Sequence, residues 1–165
     1  MNTLLLFNQT NFSTSNWWKL KSNILGYKDE LGNELVTEIA KNRYFRIIEF
    51  DLKRKNLKYK SRYFVQLFED GYLCWINIQG LDIERCSNHY QKRFICDELY
   101  IQNKMPFILD WIDLHSKQLN KYKWGGTLGP DFDCSGLIQA AFMQQEIYIP
   151  RDSYQIMRFC RHLFN

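Results

Sequence analysis

Phe132-Asp133-Cys134-Ser135-Gly136-Leu137 opens the segment that decides how the C-terminal part of the chain folds. After Cys134 the apolar residues Leu137, Ile138, Ala141 and Phe142 recur at the spacing of one helix face, and Asp133 stands just ahead as an N-cap. The spacing predicts a helix with Cys134 in its first turn. There the positive end of the helix dipole and the free backbone N–H groups favour a thiolate. The same N–H groups can stabilise the oxyanion formed when sulfur attacks a carbonyl. Unpaired cysteines more often only pack, so the flanking residues decide how much weight this one carries.

Upstream, Tyr122-Lys123-Trp124-Gly125-Gly126 sets an aromatic pair before two glycines, which suits a loop whose backbone must approach a ligand or a helix closely. Downstream, Pro150-Arg151-Asp152-Ser153-Tyr154-Gln155 is a proline-ended extended segment leading into another helix start. In this order and at this spacing, the three blocks resemble the NlpC/P60 family of papain-like cysteine peptidases, which cut bacterial cell-wall peptides. The resemblance implies Cys134 as nucleophile and the Tyr122 hydroxyl near the reacting centre. It also implies that Asp133 and Ser135 recognise the free amine of an N-terminal L-alanine. A carboxylate beside a thiol opposes the thiolate, so Asp133 is costly unless it caps the helix or pairs with a substrate cation; the two roles are compatible. Arg151 is assigned either to a substrate carboxylate or to a structural salt bridge. The partner implied is a muropeptide, and the reaction is hydrolysis of its D-γ-glutamyl–diamino acid bond through an acyl-enzyme.

A cysteine peptidase also needs a base, normally a histidine held by a further polar group. In the family this histidine lies several tens of residues past the cysteine, on a strand after a turn, and the sequence reaches Asn165 first. His89 lies in a polar stretch, His115 on the helix preceding Tyr122, and His162 at the end of a helix, so each reads as structural or exposed. The match therefore covers the N-terminal half of the catalytic domain. Two functional readings stay open: a peptidase impaired by lack of its histidine, and a catalytically inactive or truncated muropeptide-binding protein.

Before residue 90 the pattern changes. Residues 34–40, Tyr44 to Phe50, Arg62 to Phe68 and Tyr72 to Ile78 are rich in aromatic and β-branched residues and separated by polar or glycine-containing turns, so short strands are expected. Several short strands in about 70 residues suggest a small barrel. Glu69-Asp70-Gly71-Tyr72 followed by Trp75-Ile76 is similar to the turn and strand of bacterial SH3-like barrels, with Tyr72 and Trp75 assigned either to its core or to the rim of a peptide cleft. From Met105, apolar residues at helical steps predict a helix to about Leu119, with Pro106 near its first turn. The expected fold class is α+β: an SH3-like β-barrel over residues 1–90, then the helical half of a papain-like domain over residues 91–165.

Composition narrows the partners. The chain has 165 residues, 45% hydrophobic and 16% aromatic, enough for a core. No run reaches the roughly 18–20 apolar residues of a membrane helix. The opening Met1 to Phe7 lacks a basic start and a small-residue cleavage site, so a cytoplasmic location is expected, with no membrane partner. Five cysteines, Cys74, Cys86, Cys96, Cys134 and Cys160, form no CxxC pair, which fits reduced thiols and offers no zinc pattern; neither a metal nor a cofactor is expected. The net charge of +4 is densest at Lys53-Arg54-Lys55 through Lys58, Lys60 and Arg62, which reads as the solvated loop of a hairpin. Few aromatics interleave with it, so no nucleic-acid partner is expected.

Overall fold

The chain is described by a computed structural model over residues 16–48, 62–86 and 97–163. Seven short strands come first: β1 (Trp17–Leu20), β2 (Ile24–Tyr27), β3 (Leu35–Ile39), β4 (Tyr44–Ile47), β5 (Tyr63–Leu67), β6 (Leu73–Ile76) and β7 (Ile83–Cys86). Three helices follow, α1 (Glu98–Ser116), α2 (Cys134–Met143) and α3 (Ser153–Leu163).

Alternation sets one face of the sheet against a core. In β4, Phe45 and Ile47 are buried while Tyr44 and Arg46 are half-buried, and in β6, Cys74 and Ile76 are buried on the face opposite Trp75. These residues join Leu20, Ile39, Val65 and Leu67 in one apolar cluster. Trp75 instead packs against Phe64 on the other face, with ring centroids 5.3 Å apart. Tyr72 is half-buried against the core. Of the two aromatics assigned either to the core or to the rim, Tyr72 packs against the core, while the two-residue period sends Trp75 to the other face.

All pairings are antiparallel, in the order β3-β2-β6-β5-β4-β1-β7. The strands expected near residues 34–40, 62–68 and 72–78 form as β3, β5 and β6, and β4 forms at the start of the expected 44–50 strand. Among the described residues β3 and β7 do not pair, so the sheet is open where a closed barrel was expected. Closure requires the two edges to meet. The edge strand β3 is instead engaged by the loop before α2, where the Thr127 hydroxyl donates to the Glu38 carbonyl at 2.6 Å. Residues 53–61 of the basic run, His89 and Cys96 lie outside the described residues, as does the expected domain boundary between residues 90 and 91.

Helix α1 begins earlier than its apolar pattern suggests. The side chain of Asp97 accepts from Leu99 N at 2.9 Å and caps it, so Pro106 falls inside the helix rather than in its first turn. An interior proline gives up one helical hydrogen bond. Ile101 and Ile108 nevertheless bury against Ala141, Phe142, Ile147 and Ile149, holding α1 to α2.

A buried polar network joins sheet and helices. Arg43, after β3, pairs with Glu69 at 3.1 Å and Asp70 at 2.8 Å in the β5–β6 turn, with all three side chains under 10% exposed. Gln139 of α2 donates from Nε2 to Asp70 at 3.0 Å and to the Ile149 carbonyl at 3.1 Å. Thus the helix that starts at Cys134 is tied directly to a turn of the sheet.

Candidate active site

Helix α2 starts where the sequence places it. Asp133 is extended and its Oδ1 accepts from Gly136 N at 2.6 Å, while its carbonyl accepts the first helical bond from Leu137 N at 3.0 Å. Cys134 follows immediately and is exposed. Solvent can reach this residue at the electropositive end of the helix. Gly136 fixes how closely the upstream loop approaches: a Cβ there would stand 1.9 Å from the Gly126 carbonyl oxygen. Only glycine allows that contact.

Asp133 gathers the other expected residues around it. Its Oδ2 accepts from Gly125 N at 2.8 Å, and Ser135 Oγ donates to Oδ1 at 3.1 Å. Arg151 meets both oxygens, Nη1 to Oδ1 at 3.1 Å and Nη2 to Oδ2 at 2.5 Å, and donates to Ser135 Oγ at 2.7 Å. Burial raises the Asp133 carboxyl, but Arg151 and the N–H groups of Gly136 and Gly125 outweigh it and hold the group below the usual aspartate range. A carboxylate offers about four lone-pair sites, and five donors already converge on this one. A substrate amine reaches Asp133 only by displacing one of them. Arg151 is itself buried, and its observed partners are Asp133 and Ser135.

Tyr122 pairs through its backbone with Phe132, and Lys123 N donates to the Phe132 carbonyl at 3.1 Å, so the loop runs alongside the residues leading into Cys134. Tyr122 and Trp124 are 66% and 61% exposed, leaving both available to a ligand. Beneath them the loop is locked. Gly126 N donates to the Lys123 carbonyl at 2.9 Å, and Asp133 N to the Gly126 carbonyl at 3.2 Å.

Among the described residues the other thiols and imidazoles are placed differently. Burial, with the Asp70 charge adding to it, pushes the Cys74 thiol up to about 12. Cys86 is half-buried, and its thiol is raised by burial and by Glu84. His115 stacks on Trp111 with centroids 3.6 Å apart, and its Nδ1 lies 2.8 Å from the Trp111 carbonyl oxygen. His162 lies in the last turn of α3.

The sequence reading missed Glu38, which holds the loop from the sheet. Its Oε2 accepts from Thr127 N at 3.0 Å and Leu128 N at 3.1 Å, and its Oε1 from Lys123 Nζ at 2.5 Å. Burial acts to raise its carboxyl, and Lys123 with the two N–H groups more than offsets that, so the group is held low. Glu38 and Thr127 are 89 residues apart in sequence, and no local motif links them.

Residues 119–163 match the model of the NlpC/P60 family. The matched segment contains Tyr122, Asp133, Cys134, Ser135 and Arg151. Among solved structures the chain is similar to NlpC2 from Trichomonas vaginalis, at 18% identity and a TM-score of 0.30. That similarity covers 85% of this chain and 45% of the other, so the chain spans less than half the length of that neighbour. No curated protein matches the chain.

Proposed function

We propose that residues 91–165 carry the nucleophile half of a cysteine peptidase of the NlpC/P60 type, preceded by a β-rich domain over residues 1–90, and that its substrate is a peptidoglycan-derived peptide. The observation that carries this reading is the exposed Cys134 at the first residue of a helix whose cap is held by Arg151 and by the Tyr122-to-Gly126 loop. Match of the family model to that same segment supports it.

In this reading Cys134 Sγ attacks the carbonyl of the D-γ-glutamyl–diamino acid bond, and the carbonyl electrons move onto an oxyanion facing the helix N-terminus. Collapse of that intermediate breaks the C–N bond and expels the amine, which takes from solvent the equivalent of the proton the thiol gave up, and water then hydrolyses the thioester, releasing the acyl group as a carboxylic acid and restoring the thiol. Tyr122 contributes its hydroxyl at the reacting carbonyl. The substrate's free amine docks at Ser135 Oγ, with the Asp133 charge behind it and Arg151 fixing both side chains. Loss of a general base typically lowers a rate by about 10²–10⁴-fold. No base for the thiol proton is assigned among the described residues, so slow cleavage is the expected outcome for the chain by itself.

The test is incubation of L-alanyl-D-γ-glutamyl-diaminopimelate with the purified chain, read by mass spectrometry, with Cys134→Ala as control. Slow release of diaminopimelate that disappears in the variant supports the reading. Release that survives in the variant contradicts it.

No described helix is long and apolar enough to cross a membrane. We propose a cytoplasmic site of action, where short wall peptides are free in solution.

A further inference from the structure

Glu38 sits on the edge strand β3, far in sequence from the loop that leads into Cys134, yet it supplies much of what holds that loop from the sheet side. Its two carboxylate oxygens take the Thr127 and Leu128 N–H groups and the Lys123 ammonium, and its own carbonyl takes the Thr127 hydroxyl. Its side chain is 11% exposed. Hydrogen bonds from buried N–H groups to a carboxylate are among the stronger bonds in proteins, and losing the acceptor leaves the donors unsatisfied.

The held segment then passes its position to α2 through its backbone and the Asp133 carboxylate. Gly125 N donates to Asp133, Gly126 accepts from Asp133 N, and the Gly126 carbonyl lies over Gly136 so closely that no Cβ fits between them. On its other side the loop meets β3 again, since a Cβ on Gly125 would stand 2.7 Å from a Leu35 side-chain carbon and 2.9 Å from the Leu35 carbonyl oxygen. The loop is thus clamped between the sheet edge and the first turn of α2, with Tyr122 and Trp124 projecting from its exposed side.

We propose that Glu38 is a positioning residue for the Cys134 nucleophile. By fixing the Lys123–Leu128 loop against β3, it sets the Asp133 cap, the first turn of α2 and the place of the Tyr122 ring. The proposal rests on the reading of Cys134 as nucleophile. It assigns the β-sheet a part in the chemistry that the sheet performs without contacting substrate. Misplacement of reacting groups by about 1 Å can cost on the order of 10²-fold.

The experiment compares Glu38→Ala and Glu38→Gln with wild type by time-resolved iodoacetamide labelling and peptide mass mapping. Cys160 of the same molecule serves as internal reference, and the temperature is set well below each protein's melting midpoint. The expected result is a Cys134-to-Cys160 rate ratio about 10- to 100-fold lower in Glu38→Ala, with a smaller loss in Glu38→Gln, which keeps one acceptor oxygen. A purely structural Glu38 would lower the melting midpoint and leave the ratio of the folded protein unchanged, and that outcome overturns the proposal. Should Glu38→Ala not fold, the ratio in Glu38→Gln decides by the same criterion. Wild type in which Cys134 shows no preferential labelling overturns the nucleophile reading itself. Preferential labelling that persists undiminished in the folded variants overturns only the role of Glu38.

Discussion

Arg151 and Asp133 face each other as a bidentate ion pair, with one guanidinium nitrogen on each carboxylate oxygen and side chains only 4% and 8% exposed. The pair binds the segment before α3 to the cap of α2. It supplies two of the five hydrogen bonds that the carboxylate beside Cys134 accepts.

Removing one member of a buried pair strands the other charge, at a typical cost of about 3–5 kcal/mol. Arg151→Ala is therefore expected to lower the melting midpoint markedly, and Arg151→Lys to recover only part of the loss, since an ammonium cannot span two oxygens. A melting curve for Arg151→Ala that overlays wild type would show that the guanidinium serves substrate alone.

The acid dependence of stability follows from the sign of the Asp133 shift. Its folded carboxyl is held below the unfolded value of about 3.9, so its contribution is complete above that pH and is lost as pH falls through the folded value. The low-held Glu38 adds to stability with the same sign. The stability gap between wild type and Asp133→Asn, measured by urea unfolding, is predicted to narrow as the solution is taken below about pH 4. A gap that stays constant or widens in acid contradicts the assignment.

Gly136→Ala places a methyl where the Gly126 oxygen already stands. Either the loop or the first turn must move, so preferential alkylation of Cys134 is expected to be lost together with stability. Gln144→Ala, at the exposed C-cap of the same helix, is the matched control and is expected to stay within about 0.5 kcal/mol of wild type. Equal behaviour of the two variants would mean that the loop does not bear on the helix.

Tyr122→Phe removes only a hydroxyl from a residue that is 66% exposed. Stability within about 0.5 kcal/mol of wild type is expected, with slower cleavage of the tripeptide at unchanged Cys134 labelling. Cleavage at the wild-type rate would take the hydroxyl out of the mechanism.

What the sequence made legible was local. Asp133 as a cap, Cys134 at a helix start and the need for glycine near residue 126 all depend on residues a few positions apart, and helix spacing carries that information directly. Strands β3, β5 and β6 were legible from their aromatic and β-branched residues. Strand β2 was not, because Gly26 lowers its strand propensity. Its reason is tertiary: a Cβ there would meet Thr37 Cγ2 at 2.7 Å and Cys74 Sγ at 3.0 Å. Pro106 misled the start of α1 because burial of Ile101 and Ile108 on a helix capped by Asp97 prevails over one lost hydrogen bond. The engagements of Glu38 with Thr127 and of Asp70 with Gln139 join residues 89 and 69 positions apart. Only the fold brings them together, so no pattern in the chain announced them.

In the proposed reading α2 presents Cys134 to attack a carbonyl, so its sulfur should react faster than that of an unstructured peptide. The most direct measurement is the iodoacetamide alkylation rate of Cys134 in the native protein against that of a free peptide spanning residues 132–137 at the same pH, both read by mass spectrometry. The account predicts that native Cys134 reacts faster than the peptide, while buried Cys74 stays unlabelled. A native rate equal to or below that of the peptide would contradict it.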